Sequence, residues 1–315
     1  MKKWILSIMF SIIILIANAQ WKEVSSDFNI QTKSIRLFEW QGNFQDSAFR
    51  AYYVKINTKD NKLNINTDTT LYRRLTPMQF YEKLQYPKVV VNASFFEFKN
   101  NTNLNVIVKD GKVVAHNIQN FTNKGRDTFT YTHILPSAIG MIKNERNKTQ
   151  LDIAYTFTDS LLSDVYYQSA PLTPFKDSNN KISLEHPKLN NLIKWNANWA
   201  VGGGPVLIRD HKIDISNEQE RKFTGKGILD RHPRTAMGYT SDGQLIILAI
   251  QGRFKGIAVG ATLQETAQIL LDLGCIEGIN LDGGGSSCLL INGKETIKPS
   301  DPTGERPVPA ILFVK

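Results

Sequence analysis

Cysteine and histidine are too scarce in this sequence to support several common classes of protein. Its 315 residues include two cysteines and five histidines. Two cysteines form neither a disulfide scaffold nor a zinc site, and the histidines lack the spacing of metal ligands. We therefore predict no metal centre, no zinc-dependent hydrolysis and no cofactor. Cys275 and Cys288 both lie in apolar segments, so they are either bridged to each other or buried as free thiols.

Long hydrophobic runs are absent except at the N-terminus. There, two lysines follow the initiator methionine, residues 4–16 are apolar, and an Ala-Asn-Ala tripeptide ends at Ala19. An apolar run of this length with small residues before a cleavage point is typical of a secretory signal peptide, here residues 1–19. A retained membrane anchor is the alternative. We expect export to the periplasm, the outer surface or the medium, with no membrane span after cleavage.

Blocks of like charge, Pro- or Ser-rich linkers and internal repeats are also absent. The formal net charge is +9, and loss of Lys2 and Lys3 with the signal peptide would lower it by two, to +7. Because the basic residues are dispersed, nucleic acid is not an expected partner, whereas an anionic substrate or an acidic envelope surface is compatible. With 41% hydrophobic residues the chain can bury a core. The sequence gives no indication of the oligomeric state.

What the sequence does contain favours an α+β fold, with mixed, mainly antiparallel sheets and a few packing helices. Thr76 before Pro77 predicts a helix that runs to Leu84, and Thr262-x-x-Glu265 is a capping box for a second helix that ends at Gly274. Strands are predicted over residues 36–40, 49–56, 63–65, 89–91, 105–114 (a hairpin), 206–208, 236–240, 245–250, 278–281 and 288–291. Residues 117–132 and 171–191 are polar and aperiodic, which predicts long surface loops.

The most glycine-rich motif carries the first candidate for chemistry. Asp282 follows an apolar strand and precedes Gly283, Gly284 and Gly285. Consecutive glycines let the backbone approach a ligand closely and can present N–H groups to an anion, and a carboxylate beside them can act on a proton or orient a hydroxyl group. The alternative is a turn between strands with a structural aspartate.

A second motif, Asp230-Arg-His-Pro-Arg-Thr235, places two guanidinium groups and an imidazole within a short segment. Arginine binds phosphate oxygens with two parallel hydrogen bonds, so Arg231, His232 and Arg234 are candidates for binding a phosphate group. A solvated basic loop is the alternative.

Two further motifs give weaker indications. Val201-Gly-Gly-Gly-Pro205 lacks the Lys-Ser/Thr pair of a nucleotide phosphate loop, and it fits either a close backbone approach or a tight turn. Asn92 stands at a strand end before Phe95 and Phe96, which fit either a wall of a sugar site or the protein core.

Together, these motifs resemble the phosphodiester glycosidase family in their order and approximate spacing, over residues 88–315. Two positions depart from the family pattern: Ala93-Ser94 replaces two glycines, and Gln251-Gly252-Arg253 replaces Asp-Gly-Arg. The motifs that carry the resemblance are Asn92-x-x-Phe95-Phe96, Gly202-Gly-Gly-Pro205, Arg234-Thr-Ala-x-Gly238, Gly260-Ala-Thr-Leu263 with Glu265, and Leu281-Asp-Gly-Gly-Gly-Ser286.

The resemblance implies a catalytic domain over residues 88–315, preceded by a strand-rich portion over residues 20–87. It implies hydrolysis of a sugar-1-phosphodiester, such as an N-acetylglucosamine-1-phosphodiester or an envelope glycan, to a free sugar and a phosphomonoester. Asp282 and Asn92 are the implied catalytic residues. The implied substrate-binding residues are Arg231, His232, Arg234, Thr235, Gly203, Gly204, Arg253, Gly283, Gly284, Gly285, Ser286 and Phe96.

Several alternatives remain open from sequence alone. Most glycosidases use two carboxyl groups, and Glu97, Asp230, Glu265 and Glu277 are unranked candidates for a partner to Asp282. A non-catalytic envelope or exopolysaccharide-binding protein would keep the same pocket without the chemistry. An esterase with Ser286 as nucleophile is a third possibility, although the residues that follow do not form a nucleophile elbow.

Overall fold

The structure is a computed structural model that describes residues 20–143 and 148–315. The predicted signal peptide, residues 1–19, lies outside the described residues. In the described part of the chain, no helix is long and apolar enough to cross a membrane.

Strands make up most of the regular structure. They are β1 (Trp21–Glu23), β2 (Ile35–Trp40), β3 (Ala51–Asn57), β4 (Ile65–Thr69), β5 (Val89–Asn92), β6 (Phe96–Glu97), β7 (Thr102–Asn103), β8 (Ile107–Lys109), β9 (Lys112–Ala115), β10 (Asn120–Thr122), β11 (Tyr131–His133), β12 (Ser137–Lys143), β13 (Thr149–Thr158), β14 (Val165–Gln168), β15 (Phe175–Asp177), β16 (Ile193–Lys194), β17 (Ala197–Gly202), β18 (Val206–Arg209), β19 (Lys212–Ile213), β20 (Arg234–Thr240), β21 (Gln244–Ile250), β22 (Cys275–Asn280), β23 (Leu289–Ile291), β24 (Lys294–Glu295) and β25 (Ala310–Val314). The α-helices of the described residues are α1 (Pro77–Lys83), α2 (Asn217–Glu220), α3 (Lys226–Leu229) and α4 (Leu263–Asp272). Short 3-10 helices cover Ser26–Phe28, Gly125–Asp127, Pro187–Leu189 and Gly284–Ser286.

Three large antiparallel sheets organise the molecule. The first has eight strands in the order β1-β2-β3-β21-β20-β22-β18-β19, and the second has seven in the order β16-β14-β13-β12-β17-β8-β9. The third has five, in the order β24-β23-β5-β25-β4. Strand accounts for 41% and helix for 13% of the structure. The predicted antiparallel sheets with a few helices are therefore confirmed, although the fold is mainly β in character rather than an even α+β mixture.

The largest hydrophobic cluster lies where these sheets face one another. It includes Val54 from the eight-stranded sheet, Ile139 from the seven-stranded sheet and Val91 from the five-stranded sheet, all fully buried. Burying a side chain of this size contributes roughly 1.5–3 kcal/mol before the loss of conformational entropy is counted. Smaller clusters pack α4 against the eight-stranded sheet through Leu270 and α1 against the five-stranded sheet through Phe80. This packing fixes the relative positions of the strand ends that form the site described below.

The strongest local predictions are confirmed. Thr76 caps α1 and Thr262 caps α4, each with the reciprocal bonds of a capping box. Gly274 follows α4 in the left-handed conformation, at φ +84°. The predicted hairpin turn at Asp110-Gly111 joins β8 to β9 with positive φ at both residues. Cys275 and Cys288 are both buried and free, so the bridged alternative is wrong.

Two predictions about elements are wrong in part. The strand predicted at residues 63–65 begins at Ile65 and continues to Thr69, because pairing with β25 rather than an apolar run defines it. The two predicted loops each contain short strands, since β10, β11 and β15 pair in a three-stranded sheet. These strands are three residues long, which is too short to leave a periodic signal, and they are supported by side-chain bonds such as Asn123 Nδ2 to Thr130 Oγ1 at 3.0 Å.

Candidate active site

The glycine-rich motif lies at the junction of the three large sheets. β5 ends at Asn92 and β22 ends at Asn280, just before Asp282. The N–H of Asp282 donates to the carbonyl of Ala93 at 3.1 Å, which joins the eight- and five-stranded sheets. Asn280 Nδ2 donates to the carbonyl of Gly204 at 3.0 Å, just beyond the end of the seven-stranded sheet's β17. The ends of strands from all three sheets therefore position Asp282.

Asn92 and Thr235 hold the backbone of this motif in place. Both are fully buried. Asn92 Nδ2 donates to the carbonyl of Asp282 at 2.6 Å, while its Oδ1 accepts from Thr235 Oγ1 at 2.8 Å and from the N–H of Cys288 at 3.0 Å. Since these polar atoms bond within the protein, the contacts favour a positioning role for both residues over the direct contact with substrate that we predicted.

The carboxylate of Asp282 is surrounded by donors and cations. The Ser286 hydroxyl and the Gly283 N–H donate to it, and the charges of Arg306 and Lys222 act on it. Burial in the protein nevertheless outweighs these effects and raises the pKa of Asp282 to about 6. Part of the residue remains open to solvent. Asp282 is therefore a partly exposed residue whose carboxyl group changes its charge close to neutral pH.

The absence of side chains on the three glycines allows neighbouring parts of the protein to pack closely against their backbone. This packing is a clearer feature of the motif than free N–H donors. A Cβ on Gly283 would lie 2.8 Å from the carbonyl oxygen of Pro233, and Gly284 has φ +61° beside the guanidinium of Arg253. Gly285 packs directly against the guanidinium of Arg306. The Gly284 N–H is bonded to the Pro233 carbonyl at 2.8 Å. The predicted anion cradle of backbone N–H groups is thus partly engaged within the protein.

Gly203 and Gly204 form a second place where the backbone packs closely against neighbouring parts of the protein. Their N–H groups donate to the carbonyls of Ser137 at 2.9 Å and Asn280 at 2.8 Å. Gly204 has φ +112°, and any side chain there would collide with the carboxylate of Glu220 and press on Lys222. These contacts support the structural reading of the motif, because both amides are already bonded to backbone oxygens.

Arg234 is a buried cation without a carboxylate partner in the described part of the chain. Only 4% of the residue is exposed. Its guanidinium donates to the carbonyls of Ala261 at 3.0 Å and Gly227 at 3.2 Å, and lies 5.7 Å from the ring centroid of Phe223. Burial lowers the pKa of Arg234 to about 10, so it stays charged at neutral pH. A buried, unpaired charge is costly unless an anion compensates it, which makes Arg234 suited to bind one.

Arg231 occupies a different environment from Arg234. Its Nε lies 3.0 Å from both carboxylate oxygens of Glu265, and its NH1 donates to Ser47 Oγ at 2.5 Å. The guanidinium thus ties the start of α4 to a neighbouring turn, which does not support the predicted contact with phosphate. The intervening His232 contacts the Lys226 carbonyl through Nε2 at 3.3 Å.

Lys222 is a site residue that the sequence motifs missed. Its Nζ donates to Asn105 Oδ1 at 3.1 Å and lies 4.3 Å from the ring centroid of Phe95. Burial lowers the pKa of Lys222 to about 8, although the charges of Glu220 and Asp282 oppose this change. Lys222 stands in a polar segment between short helices, so only the tertiary structure brings it to the site.

Arg306 is the second residue that sequence reasoning missed. Its Nε forms an ion pair with Asp301 at 2.7 Å, and its NH1 lies 3.4 Å from Ser286 Oγ. The only signal in the sequence is an isolated Gly-Glu-Arg-Pro segment near the C-terminus. Together with Lys222, Arg306 makes the surroundings of Asp282 cationic.

The adjacent aromatic residues Phe95 and Phe96 lie in different surroundings. Phe96 is 7% exposed and packs in the cluster beneath α1. Phe95 instead carries Lys222 over its ring, and its centroid lies 5.9 Å from that of Phe223, the ring beside Arg234. Alternation along an extended segment sends neighbouring side chains to opposite faces, so a shift of one residue decides which ring lines the site.

Arg253 lies beside the glycine-rich motif, with its guanidinium next to Gly284. It is exposed, has φ +68°, and its charge acts on Arg234. The adjacent Gln251 is buried and accepts from the N–H of Lys298 at 2.8 Å. Gln251 therefore supports a turn in the structure, and its amide oxygen is engaged there.

The candidate partner carboxylates are mostly engaged elsewhere. Glu97 accepts from the N–H groups of Lys99 and Asn100, and Glu265 belongs to the capping box of α4. Glu277 lies 2.8 Å from Arg209 in another buried cluster, where burial raises its pKa to about 7. Asp230 is exposed. In the described residues no group of three or more His, Cys, Asp or Glu side chains is arranged to hold a metal ion.

Solved structures share this architecture of antiparallel sheets. A hypothetical protein from Synechocystis has a TM-score of 0.61 at 19% identity, covering 93% of this chain and 63% of that one. The catalytic domain of zebrafish N-acetylglucosamine-1-phosphodiester alpha-N-acetylglucosaminidase, auto-inhibited by its pro-peptide, has a TM-score of 0.58 at 18% identity, covering 90% of this chain and 84% of that domain. At these identities the likeness shows the fold.

The sequence itself shows the family. The family model for phosphodiester glycosidases matches residues 86–315, and the chain belongs to that family. Mouse N-acetylglucosamine-1-phosphodiester alpha-N-acetylglucosaminidase is 33% identical over 104 residues, which cover 33% of this chain. The match spans 20% of the length of the mouse enzyme.

Proposed function

We propose that the protein hydrolyses a sugar-1-phosphodiester, such as an N-acetylglucosamine-1-phosphodiester, to a free sugar and a phosphomonoester. The observation that carries this proposal is the carboxylate of Asp282 among cations, since the charges of both Lys222 and Arg306 act on it. Membership of the phosphodiester glycosidase family and the activity in the name of the mouse relative support it.

The proposed reaction breaks the bond between the anomeric carbon and the phosphate oxygen. The electron pair of that bond leaves with the phosphate, and the oxygen of a water molecule bonds to the anomeric carbon. Asp282, in its ionised form, accepts the proton of that water. A phosphomonoester has a second pKa of about 6, so it departs as an anion with little need for protonation. One carboxylate in the site therefore suffices where most glycosidases use two.

The cations have the complementary task of binding the phosphodiester and its developing charge. Arg234 offers a guanidinium that no carboxylate of the described chain neutralises, and Lys222 and Arg306 act on the same carboxylate. Hydrogen bonds from charged donors to phosphate contribute about 1.5–3 kcal/mol each. Phe95 and Phe223 line the space between Lys222 and Arg234, where an apolar face of the sugar can pack.

We further propose that the protein is exported. The support is the sequence of residues 1–19, which has the charge, apolar run and small-residue cleavage pattern of a signal peptide. The substrate would then be a sugar phosphodiester or glycan of the envelope or its surroundings. N-terminal sequencing of protein recovered from the producing cells should give Gln20 as the first residue, and an intact N-terminus would overturn this part of the proposal.

The activity is tested with N-acetylglucosamine-1-phosphomethyl ester and related sugar-1-phosphodiesters, by measuring reducing sugar and methyl phosphate. Asp282→Asn keeps the volume of the side chain and removes its charge, and we expect it to lower kcat by about a thousand-fold or more. Asp272→Asn, at the exposed C-terminal end of α4, is the matched control and should keep wild-type turnover. Turnover by Asp282→Asn within a few-fold of wild type would overturn the role of Asp282. Binding of the esters without turnover by the wild type would favour a binding protein.

A further inference from the structure

Glu220, the last residue of α2, carries a buried carboxylate that the proposed reaction does not use. Only 1% of the residue is exposed. Arg221 follows it in the left-handed conformation, with φ +49°, and is exposed. This turn leaves Glu220 and Lys222 on the inner side of the segment. A charged side chain buried so deeply needs partners within the protein, because its removal from water is costly.

Both carboxylate oxygens of Glu220 have such partners. Oε2 accepts from the N–H of Ser137 at 2.9 Å and from the hydroxyl of the same residue at 2.8 Å. Oε1 accepts from the N–H of Val206 at 2.9 Å and from Ser216 Oγ at 2.6 Å. Ser137 begins β12 and Val206 begins β18, so the carboxylate joins strands of two large sheets. These four donors fix its position and are all neutral, so they do not cancel its charge.

Gly204 allows the carboxylate of Glu220 to lie close to Lys222. A Cβ on Gly204 would collide with Glu220 Oε2 and would lie 3.2 Å from Lys222 Cε. Both side chains therefore pack against the same backbone atom. Gly204 also has φ +112°, a conformation that favours glycine. Glycine at this position thus lets a fixed anion and a cation of the site approach each other.

The other neighbours of Lys222 belong to the site around Asp282. The Nζ atom donates to Asn105 Oδ1 at 3.1 Å and lies 4.3 Å from the ring centroid of Phe95. Burial favours the uncharged amine of Lys222, whereas the charges of Glu220 and Asp282 favour its ammonium form. Of these two charges, that of Glu220 has the larger effect. Tyr155 is a further titratable side chain on which the charge of Glu220 acts.

We propose that Glu220 is a positioning residue, whose fixed negative charge stabilises the ammonium group of Lys222 beside Asp282. The inference rests on the proposed function, in which Lys222 attracts the phosphodiester. Glu220 acts through Lys222 and does not contact the substrate itself, since protein donors occupy both of its oxygens. Without this charge, burial would favour the uncharged amine, which attracts phosphate less strongly.

Glu220→Gln tests this inference, because it keeps the volume of the side chain and removes its charge. The alkaline limb of kcat/KM, near pH 8 in the wild type, should move to lower pH by about one unit, the usual effect of losing one opposite charge nearby. With N-acetylglucosamine-1-phosphomethyl ester, kcat/KM should therefore fall by about five- to ten-fold at about pH 8.5 and by less than about two-fold at about pH 6.5. NMR titration of the Lys222 Cε resonance in protein labelled with ¹³C-lysine should show the same shift without turnover.

The matched control is Ser216→Ala, which removes one hydroxyl donor from Glu220 and leaves its charge. It should lower the thermal stability, as the loss of a buried hydrogen bond does, and leave the alkaline limb in place. Asp282→Asn gives a second test that does not depend on the folding of Glu220→Gln. In that variant Glu220 still faces Lys222, so the titration midpoint of Lys222 should stay above about pH 7.

An alkaline limb and a Lys222 titration that stay in place in Glu220→Gln would overturn the role of Glu220. So would an equal shift in Ser216→Ala, or a midpoint below neutral pH in Asp282→Asn. Failure of the wild type to cleave any sugar-1-phosphodiester would instead overturn the proposed function, and the NMR titration would still decide whether Glu220 stabilises the ammonium group of Lys222.

Discussion

Asp282 carries a raised pKa although Arg306 and Lys222 lie near it. The loss of solvation on burial is larger than the combined effect of these charges and of the bonds from Ser286 and Gly283. The same loss lowers the pKa of Lys222 to about 8. Burial thus moves the pKa of the acid Asp282 and the pKa of the base Lys222 toward neutral pH in one site. Such shifted pKa values are common among catalytic groups.

The first prediction concerns the pH dependence of kcat/KM in the free enzyme. Asp282 must be ionised to accept a proton, so activity should rise as the pH increases through about 6. Lys222 must be protonated to attract phosphate, so activity should fall as the pH increases through about 8. The result is a bell-shaped profile between these values. Lys222→Met should remove the alkaline limb, and a profile that is flat across neutral pH would contradict both roles.

The second prediction separates the two arginines of the basic motif. Arg234→Lys should lower kcat/KM by about ten- to a hundred-fold, because a single ammonium replaces a guanidinium bonded to phosphate and loses about 1.5–3 kcal/mol. Arg231→Lys should change kcat/KM little and instead lower the free energy of unfolding by about 1 kcal/mol, since its partner is Glu265. Steady-state kinetics and urea unfolding of both variants check this. The reverse pattern would place Arg231 in the phosphate site.

The chemistry of individual residues was only partly predictable from sequence. Asp282 and Arg234 could be found because their local motifs combine unusual glycines or paired arginines with a reactive group. Lys222 could not, since it stands in a polar segment and reaches Asp282 only through the folding of three sheets. Asn92 was predicted to be catalytic, and the bonds to Asp282, Thr235 and Cys288 that favour a positioning role are visible only in the tertiary structure.

At the scale of elements, α4 connects the basic motif to the core. Thr262 and Glu265 satisfy N–H groups at the start of the helix, and Glu265 also binds Arg231. We predict that Thr262→Ala lowers the free energy of unfolding by about 0.5–2 kcal/mol, the usual effect of losing an N-cap. Thermal unfolding measures it, with Gln264→Ala on the same helical turn as a control. An unchanged Tm would show that the cap contributes little here.

Elements with strong local sequence signals were predictable, whereas strands that form only by pairing with other strands were not. The capping boxes of α1 and α4 and the Asp110-Gly111 turn set their own conformation within a few residues. By contrast, β4 includes Asn66, Thr67 and Asp68, which lack an apolar pattern and become a strand by pairing with β25. The short strands β10, β11 and β15 depend in the same way on one another.

At the scale of the whole molecule, the sheets continue across the boundary predicted at residue 87. β3 pairs with β21 over seven residues, and β4 pairs with β25. We therefore predict that a fragment of residues 88–315 does not fold, because it would expose the edge of β21 and part of the shared core. Circular dichroism and NMR of the purified fragment test this. A cooperatively folded fragment would instead support separate domains.

The central claim is that phosphate is both the group the protein binds and the group that leaves. The most direct test compares kcat/KM for N-acetylglucosamine-1-phosphomethyl ester with that for the matching methyl glycoside. Two charge-assisted contacts to phosphate are worth roughly 3–6 kcal/mol together, so we predict a preference for the phosphodiester of about a hundred-fold to ten-thousand-fold, widened further by the poorer departure of methoxide. Comparable values for the two substrates would show an ordinary glycosidase and contradict the role given to Arg234 and Lys222.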